Sequence, residues 1–177
     1  PVLAAAGLIQ TAQRLQTRDI SLLKPTALVF SKIHGGSKNN IIPDDVVVEG
    51  TLRYLFDPSN DEKEDPPTRL REIVAGVCAV HRCGFDFDIE EENEVVVNST
   101  EMVHLVREAA SEILENEGKI LEHRSMAGED FAAYAKRVPS AFIFIGTGSV
   151  EKHTDYPHHS PHFNIDEDTM PTGVELF

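Results

Sequence analysis

Apolar and polar positions change period several times along this chain, and each change predicts an element. Over residues 1–18, Leu3, Ala6, Gly7, Gln10, Gln13 and Arg14 fall at helical spacing, and Pro1 is tolerated in a first turn, so a helix is expected. Residues 26–34, from Thr26 to His34, are apolar and β-branched, which predicts a strand. Gly35 to Asn40 reads as a turn, and residues 45–56 predict a second strand antiparallel to the first. An acidic, proline-containing loop runs from Asp57 to Pro67. Leu70, Ile73, Val74, Val77, Val80 and His81 then predict an amphipathic helix over 68–82, with Gly84 as its stop. Phe85, Phe87 and Ile89 alternate with Asp86, Asp88 and Glu90, which predicts a half-buried strand.

Residues 1–97 therefore read α-β-β-α-β, an α+β sandwich with both helices on one face of an antiparallel sheet. One strand before the first helix would complete a ferredoxin-like unit. The second segment, 98–177, opens on Asn98, spaced with Glu101 as a capping box. Val103, Val106, Ala110, Ile113 and Leu114 form the expected buried stripe of that helix, and Gly118 its end. A short helix at 129–137 follows Gly128, and the run from Ser140 to Ile145 predicts a fully buried strand of the parallel α/β kind. Eighty residues with one long strand make too little sheet for an independent α/β domain, so this segment is expected to be the end of a larger one.

Composition narrows the function classes. A net charge of −14 repels phosphate backbones, so nucleic acid is not an expected partner. No apolar run approaches the roughly 20 residues that cross a bilayer, so no membrane association is expected. The chain starts at Pro1 rather than Met, and the native start is expected to lie upstream. Cys78 and Cys83, five apart on a helix, point to different faces, and low cysteine use fits a reducing, cytoplasmic setting.

The strongest chemical signal is a histidine cluster: His153, His158, His159 and His162, followed by Phe163-Asn164-Ile165-Asp166-Glu167. Imidazole is a common metal ligand and titrates near neutrality. The loop follows the apolar run at 140–145, and the C-terminal edge of an open α/β sheet is where such folds place their sites. A lone histidine there is more often structural. Glu129 and Asp130 read first as helix-start partners, and Glu91-Glu92 as a solvated acidic turn.

Four patches, in order, resemble the aminoacylase/carboxypeptidase family of dinuclear-metal amidohydrolases. They are the opening helix from Pro1 to Arg18; Gly35-Gly36-Ser37-Lys38-Asn39-Asn40-Ile41-Ile42-Pro43-Asp44 with Gly50-Thr51-Leu52-Arg53; Gly128-Glu129-Asp130-Phe131; and His158-His159-Ser160-Pro161-His162-Phe163-Asn164-Ile165-Asp166-Glu167. The resemblance covers nearly the whole chain. It implies that residues 1–97 form a lid/dimerisation domain, ferredoxin-like with its first strand missing. It implies that residues 98–177 form the C-terminal part of an α/β metallohydrolase catalytic domain.

The resemblance also assigns roles. It makes His159 a metal ligand, and Asn40 and Arg53 the groups that hold the substrate carboxylate, a task suited to a guanidinium fork and an amide. It implies two divalent metal ions, zinc first, with manganese, cobalt or nickel as alternatives, and a homodimer formed through the lid. The activity implied is metal-dependent hydrolysis of an amide bond in N-acyl amino acids or small peptides bearing a free carboxylate. The family's remaining ligands, in H-x-D or C-x-H-D patterns and a paired Glu-Glu, have no counterpart here. No catalytic residue is therefore assigned, and this chain alone is expected to be inactive. The competing expectations are a non-catalytic dimerisation or binding module and a simple histidine-rich metal-binding loop.

Overall fold

The computed structural model of the chain describes residues 1–58, 62–114 and 120–177. It divides into two compact units, residues 1–95 with 125–128, and residues 96–124 with 129–177.

The first unit begins with α1 (Val2–Ala12), which passes into a π-helical turn at Leu15–Asp19. Its inward stripe, Ala12 and Leu15, is fully buried. Asp19 closes the turn. Its side chain is only 4% exposed and receives hydrogen bonds from Arg14 Nε and Nη2, both at 3.0 Å, and from Arg69 Nη2 at 3.3 Å. Two guanidiniums thus compensate a carboxylate that would be costly to bury unpaired.

The hairpin follows where the two apolar runs lie: β1 (Thr26–His34) pairs antiparallel with β2 (Val47–Tyr54). Leu28, Phe30 and Leu52 turn inward onto Ala12, Leu15, Ile20 and Leu70, so helices and sheet share one core. The register jumps between Phe30↔Gly50 and Lys32↔Glu49, leaving Ser31 as the extra residue of a β-bulge. The bulge presses β1 against β2 at Gly50. A Cβ there would lie 2.2 Å from the Val29 carbonyl oxygen, so only glycine fits. Lys32 and Glu49 close the hairpin beyond the bulge with a 2.7 Å ion pair.

The second helix, α2 (Pro66–His81), starts two residues before the periodicity predicted. Pro66 and Pro67 occupy first-turn positions that need no intrahelical N–H, and Asp65 caps the helix by accepting from the Thr68 amide at 2.9 Å. The helix ends one turn earlier than Gly84. Arg82 takes the left-handed conformation at φ 54°, and the amides of Arg82 and Cys83 return to the carbonyls of Ala79 and Cys78. That is a Schellman motif built on arginine instead of glycine. Cys78 is buried, which pushes its thiol pKa up, with neighbouring Cys83 adding to the shift, and both cysteines are free.

Residues 85–89 run extended but do not join the sheet, which has two strands among the described residues. Phe87 packs on the core while Phe85 and Ile89 stay exposed, so the alternation orients side chains without a strand ladder.

In the second unit, α3 (Thr100–Ile113) has Ser99 rather than Asn98 at its N-cap. Asn98 bridges to the main chain of Phe142 instead. Its Oδ1 accepts from the Phe142 amide at 2.8 Å, and its Nδ2 donates to the Phe142 carbonyl at 3.0 Å. Residues 140–145 are therefore tethered by a side-chain amide, with Ser99 N–H donating to the Ser140 carbonyl, and are not a buried strand. Phe144 is 58% and Ile145 38% exposed. Phe131, Phe142 and Phe144 form an aromatic ladder behind this segment. Two short helices, α4 (Ala132–Ala135) and α5 (Met170–Leu176), complete the unit. The stop expected at Gly118 lies outside the described residues. Among the described residues, no helix is long and apolar enough to cross a membrane.

Candidate functional site

His159 sits at the corner of a loop made of two successive turns. The Ser160 amide donates to the Pro157 carbonyl at 3.2 Å, which makes His159 the third residue of the first turn. Its φ of 67° is the positive value that a type II turn demands at that position, and one that a non-glycine residue rarely adopts. The second turn is closed by the Phe163 amide on the Ser160 carbonyl at 3.0 Å, with Ser160 Oγ accepting from His162 N–H. Pro161, the second residue of that turn, has its φ fixed by its ring.

The neighbouring histidines are engaged by aromatic rings. His158 meets Phe163 edge-on with centroids 4.8 Å apart, and His162 lies 5.4 Å from Tyr156. His153 is itself left-handed, at φ 54°. His159 is exposed. Like His153 it has no ring contact among the described residues, and of the four it is the one set at the corner between the two turns.

The loop is anchored from inside by Thr154, which is 6% exposed. Its hydroxyl donates to the Thr147 carbonyl at 3.2 Å and accepts from the Ser149 amide at 2.9 Å. The Asp166 amide donates to the Thr147 carbonyl at 2.9 Å, joining the two flanks. Lys152 reinforces that closure through Asp166, 2.7 Å away, and Asp168. Hydrogen bonding to the two carboxylates holds the Lys152 ammonium above its ordinary pKa, and the Lys152 hydrogen bond holds the Asp166 carboxyl below its own. No sequence pattern singles out Lys152 or Thr154, because their partners follow no local period.

In the first unit, Arg53 lies on the outward face of β2, opposite Ala27. Its Nη1 donates to the Met126 carbonyl at 2.7 Å. One of its five donors is thereby used to steady residues 125–128. Asn40 is exposed in the loop between the strands. Arg53 stands on β2, the strand that follows this loop. Glu129 Oε1 accepts from the Phe131 amide, the helix-start role read from sequence. Glu91 and Glu92 are exposed. Burial first, and then the charges of Glu91 and Asp65, push the Tyr54 phenol above its ordinary pKa.

A catalytic metal takes three or more protein ligands. Among the described residues, no three His, Cys, Asp or Glu side chains converge as a metal ion requires. His159 fits the part of one ligand, and these residues do not complete a dinuclear set.

The fold is α/β and resembles that of solved peptidase structures. A dinuclear metal-binding peptidase from Bacillus subtilis superposes with a TM-score of 0.78 at 23% identity, covering 100% of this chain and 44% of that one. The chain belongs to peptidase family M20/M25/M40, whose model matches residues 6–177. Among its relatives are a thermostable carboxypeptidase of Saccharolobus solfataricus, 29% identical over 98% of this chain and 43% of the relative, and an IAA-amino acid hydrolase of Arabidopsis thaliana, 27% identical over 99% and 40%. The chain thus spans less than half the length of the curated relatives it matches.

Proposed function

We propose that the whole protein is a metal-dependent amidohydrolase that cleaves the amide bond of N-acyl amino acids or small peptides with a free carboxylate. In this reading His159 is one ligand of a site for two divalent ions, zinc first. Asn40 and Arg53 hold the substrate carboxylate. Residues 1–97 act as a ferredoxin-like lid through which two copies dimerise, and residues 98–177 end the catalytic domain. The protein works in the cytoplasm.

The observation that carries the proposal is His159 at a left-handed corner, held between two hydrogen-bonded turns. Backbone of this kind costs of order 1 kcal/mol or more and clusters at functional sites. An exposed imidazole presented at such a corner suits a metal. The family's members include a carboxypeptidase and an amino-acid-conjugate hydrolase, both named for substrates with a free carboxylate beside the scissile amide. In this role the metals would polarise the scissile carbonyl and lower the pKa of a bound water. This chain's own contribution is one ligand and a carboxylate clamp. Since the described residues hold no full ligand set, the 177-residue chain by itself is predicted to be inactive.

The test uses the full-length protein with an N-acyl amino acid and its C-terminally amidated analogue. Arg53→Ala is expected to lower kcat/KM for the free acid roughly 10- to 100-fold and to change the amide little, since charge-assisted hydrogen bonds are worth about 1.5–3 kcal/mol. An unchanged preference for the acid would remove Arg53 from the clamp.

A further inference from the structure

We propose that Lys152 is a positioning residue for His159, clasping the two flanks of the histidine loop through Asp166 and Asp168. The inference rests on the reading of His159 as a metal ligand and adds how that ligand is held.

The loop leaves at Thr147 and returns at Asp166, with His159 between them. Two elements hold it from within: the Asp166–Thr147 main-chain hydrogen bond and the buried Thr154 hydroxyl. Lys152 is the side chain that ties the outgoing flank to the returning one. It stands on the Val150–His153 turn, where its own amide reaches Ser149 Oγ at 3.4 Å. Its Nζ meets Asp166 Oδ1 at 2.7 Å and also binds Asp168. The same Asp166 oxygen accepts the Asp168 amide at 3.2 Å, starting the 3₁₀ turn (Glu167–Thr169) that leads into α5. One ammonium therefore fixes both the loop's closure and the direction in which the chain leaves it.

An exposed ion pair contributes little to global stability. Its effect here is local. With the flanks clasped, the left-handed corner at His159 is populated before any ligand arrives. Without the clasp, the corner has to be ordered on binding, which lowers affinity by the fraction of time it is formed.

The experiment compares Lys152→Met, Lys152→Arg and His159→Ala in the full-length protein. Amide exchange is measured across residues 158–163 without metal, and Co(II) affinity is measured by its visible absorption. Lys152→Met is expected to speed exchange in that segment several-fold, leave the denaturation midpoint unchanged and weaken Co(II) binding about tenfold, the change for a corner formed about a tenth of the time. Lys152→Arg, which can still pair with both carboxylates, is expected to recover most of each effect. If Lys152→Met changes neither exchange nor Co(II) affinity, the clasp is overturned. If it speeds exchange while His159→Ala leaves Co(II) affinity intact, the clasp stands and the ligand assignment falls.

Discussion

Gly50 offers the sharpest test of how the hairpin is built. Replacing it with alanine would put a Cβ 2.2 Å from the Val29 carbonyl oxygen, 3.0 Å from Phe30 Cα and 3.1 Å from the Val29 carbonyl carbon. All three are main-chain atoms, so no side chain can rotate away. Heavy atoms pack best at about 3.5–4.0 Å, so β1 and β2 must part by more than ~1 Å beside the bulge. Overpacking costs about 1–3 kcal/mol, and each ladder hydrogen bond stretched adds about 1. Gly50→Ala is therefore expected to destabilise the first unit by roughly 2–4 kcal/mol. Gly76, exposed in the middle of α2 with nothing within 4 Å of its would-be Cβ, supplies the control. Gly76→Ala should stabilise by about 0.5–1 kcal/mol through helix propensity. Urea denaturation followed by circular dichroism reads both. Equal stability of Gly50→Ala and the parent protein would refute the bulge geometry, and with it the placement of Arg53 three residues further on.

Three further outcomes follow from other parts of the chain. Asp65→Ala, which leaves the Thr68 amide without its cap, should cost about 1 kcal/mol in the same denaturation assay, and Asp65→Asn should keep most of it. Thr154→Val should destabilise the second unit by about 1–3 kcal/mol, because the Ser149 amide and Thr147 carbonyl lose a buried partner; Thr154→Ser should be close to neutral. The clasp has a defined pH window. Asp166 is depressed, so its contribution is present above the ordinary aspartate pKa and lost as pH falls through the lowered one. Lys152 is raised, so its contribution is complete below the ordinary lysine pKa and lost as pH rises through the elevated one. The NMR shift of the Asp168 amide should titrate below the usual aspartate range and move up toward it in Lys152→Met. A normal midpoint in the parent protein would contradict the pairing.

What could be read from sequence was what repeats locally. The hairpin follows from its apolar, β-branched runs and α2 from a period of 3.6, and their positions agree with the structure to within about two residues. The departures have physical causes. Asp65-Pro66-Pro67 looks like loop material, yet it is a capped helix start. Arg82 takes the left-handed cap that Gly84 was expected to supply, since the Schellman hydrogen bonds from Arg82 and Cys83 outweigh its backbone cost. Asn98 has the spacing of a cap but pairs with Phe142, a partner 44 residues away that no short window can see.

The apolar runs at 85–89 and 140–145 have strand composition. A strand also needs a neighbour to hydrogen-bond, and among the described residues neither run has one in a sheet. The histidine cluster stood out from composition alone as a candidate site. The left-handed corner at His159 and the Lys152 clasp were not, because both depend on turns and pairings that close over the whole loop.

The central claim is the proposal that His159 binds metal in the full-length protein. The direct measurement is metal content of the purified full-length protein and its His159→Ala variant by atomic absorption, taken with hydrolysis of an N-acyl amino acid. The account predicts that the variant loses bound metal and hydrolysis together while its circular dichroism stays that of the parent. Full metal content and undiminished hydrolysis in a folded His159→Ala protein would contradict it.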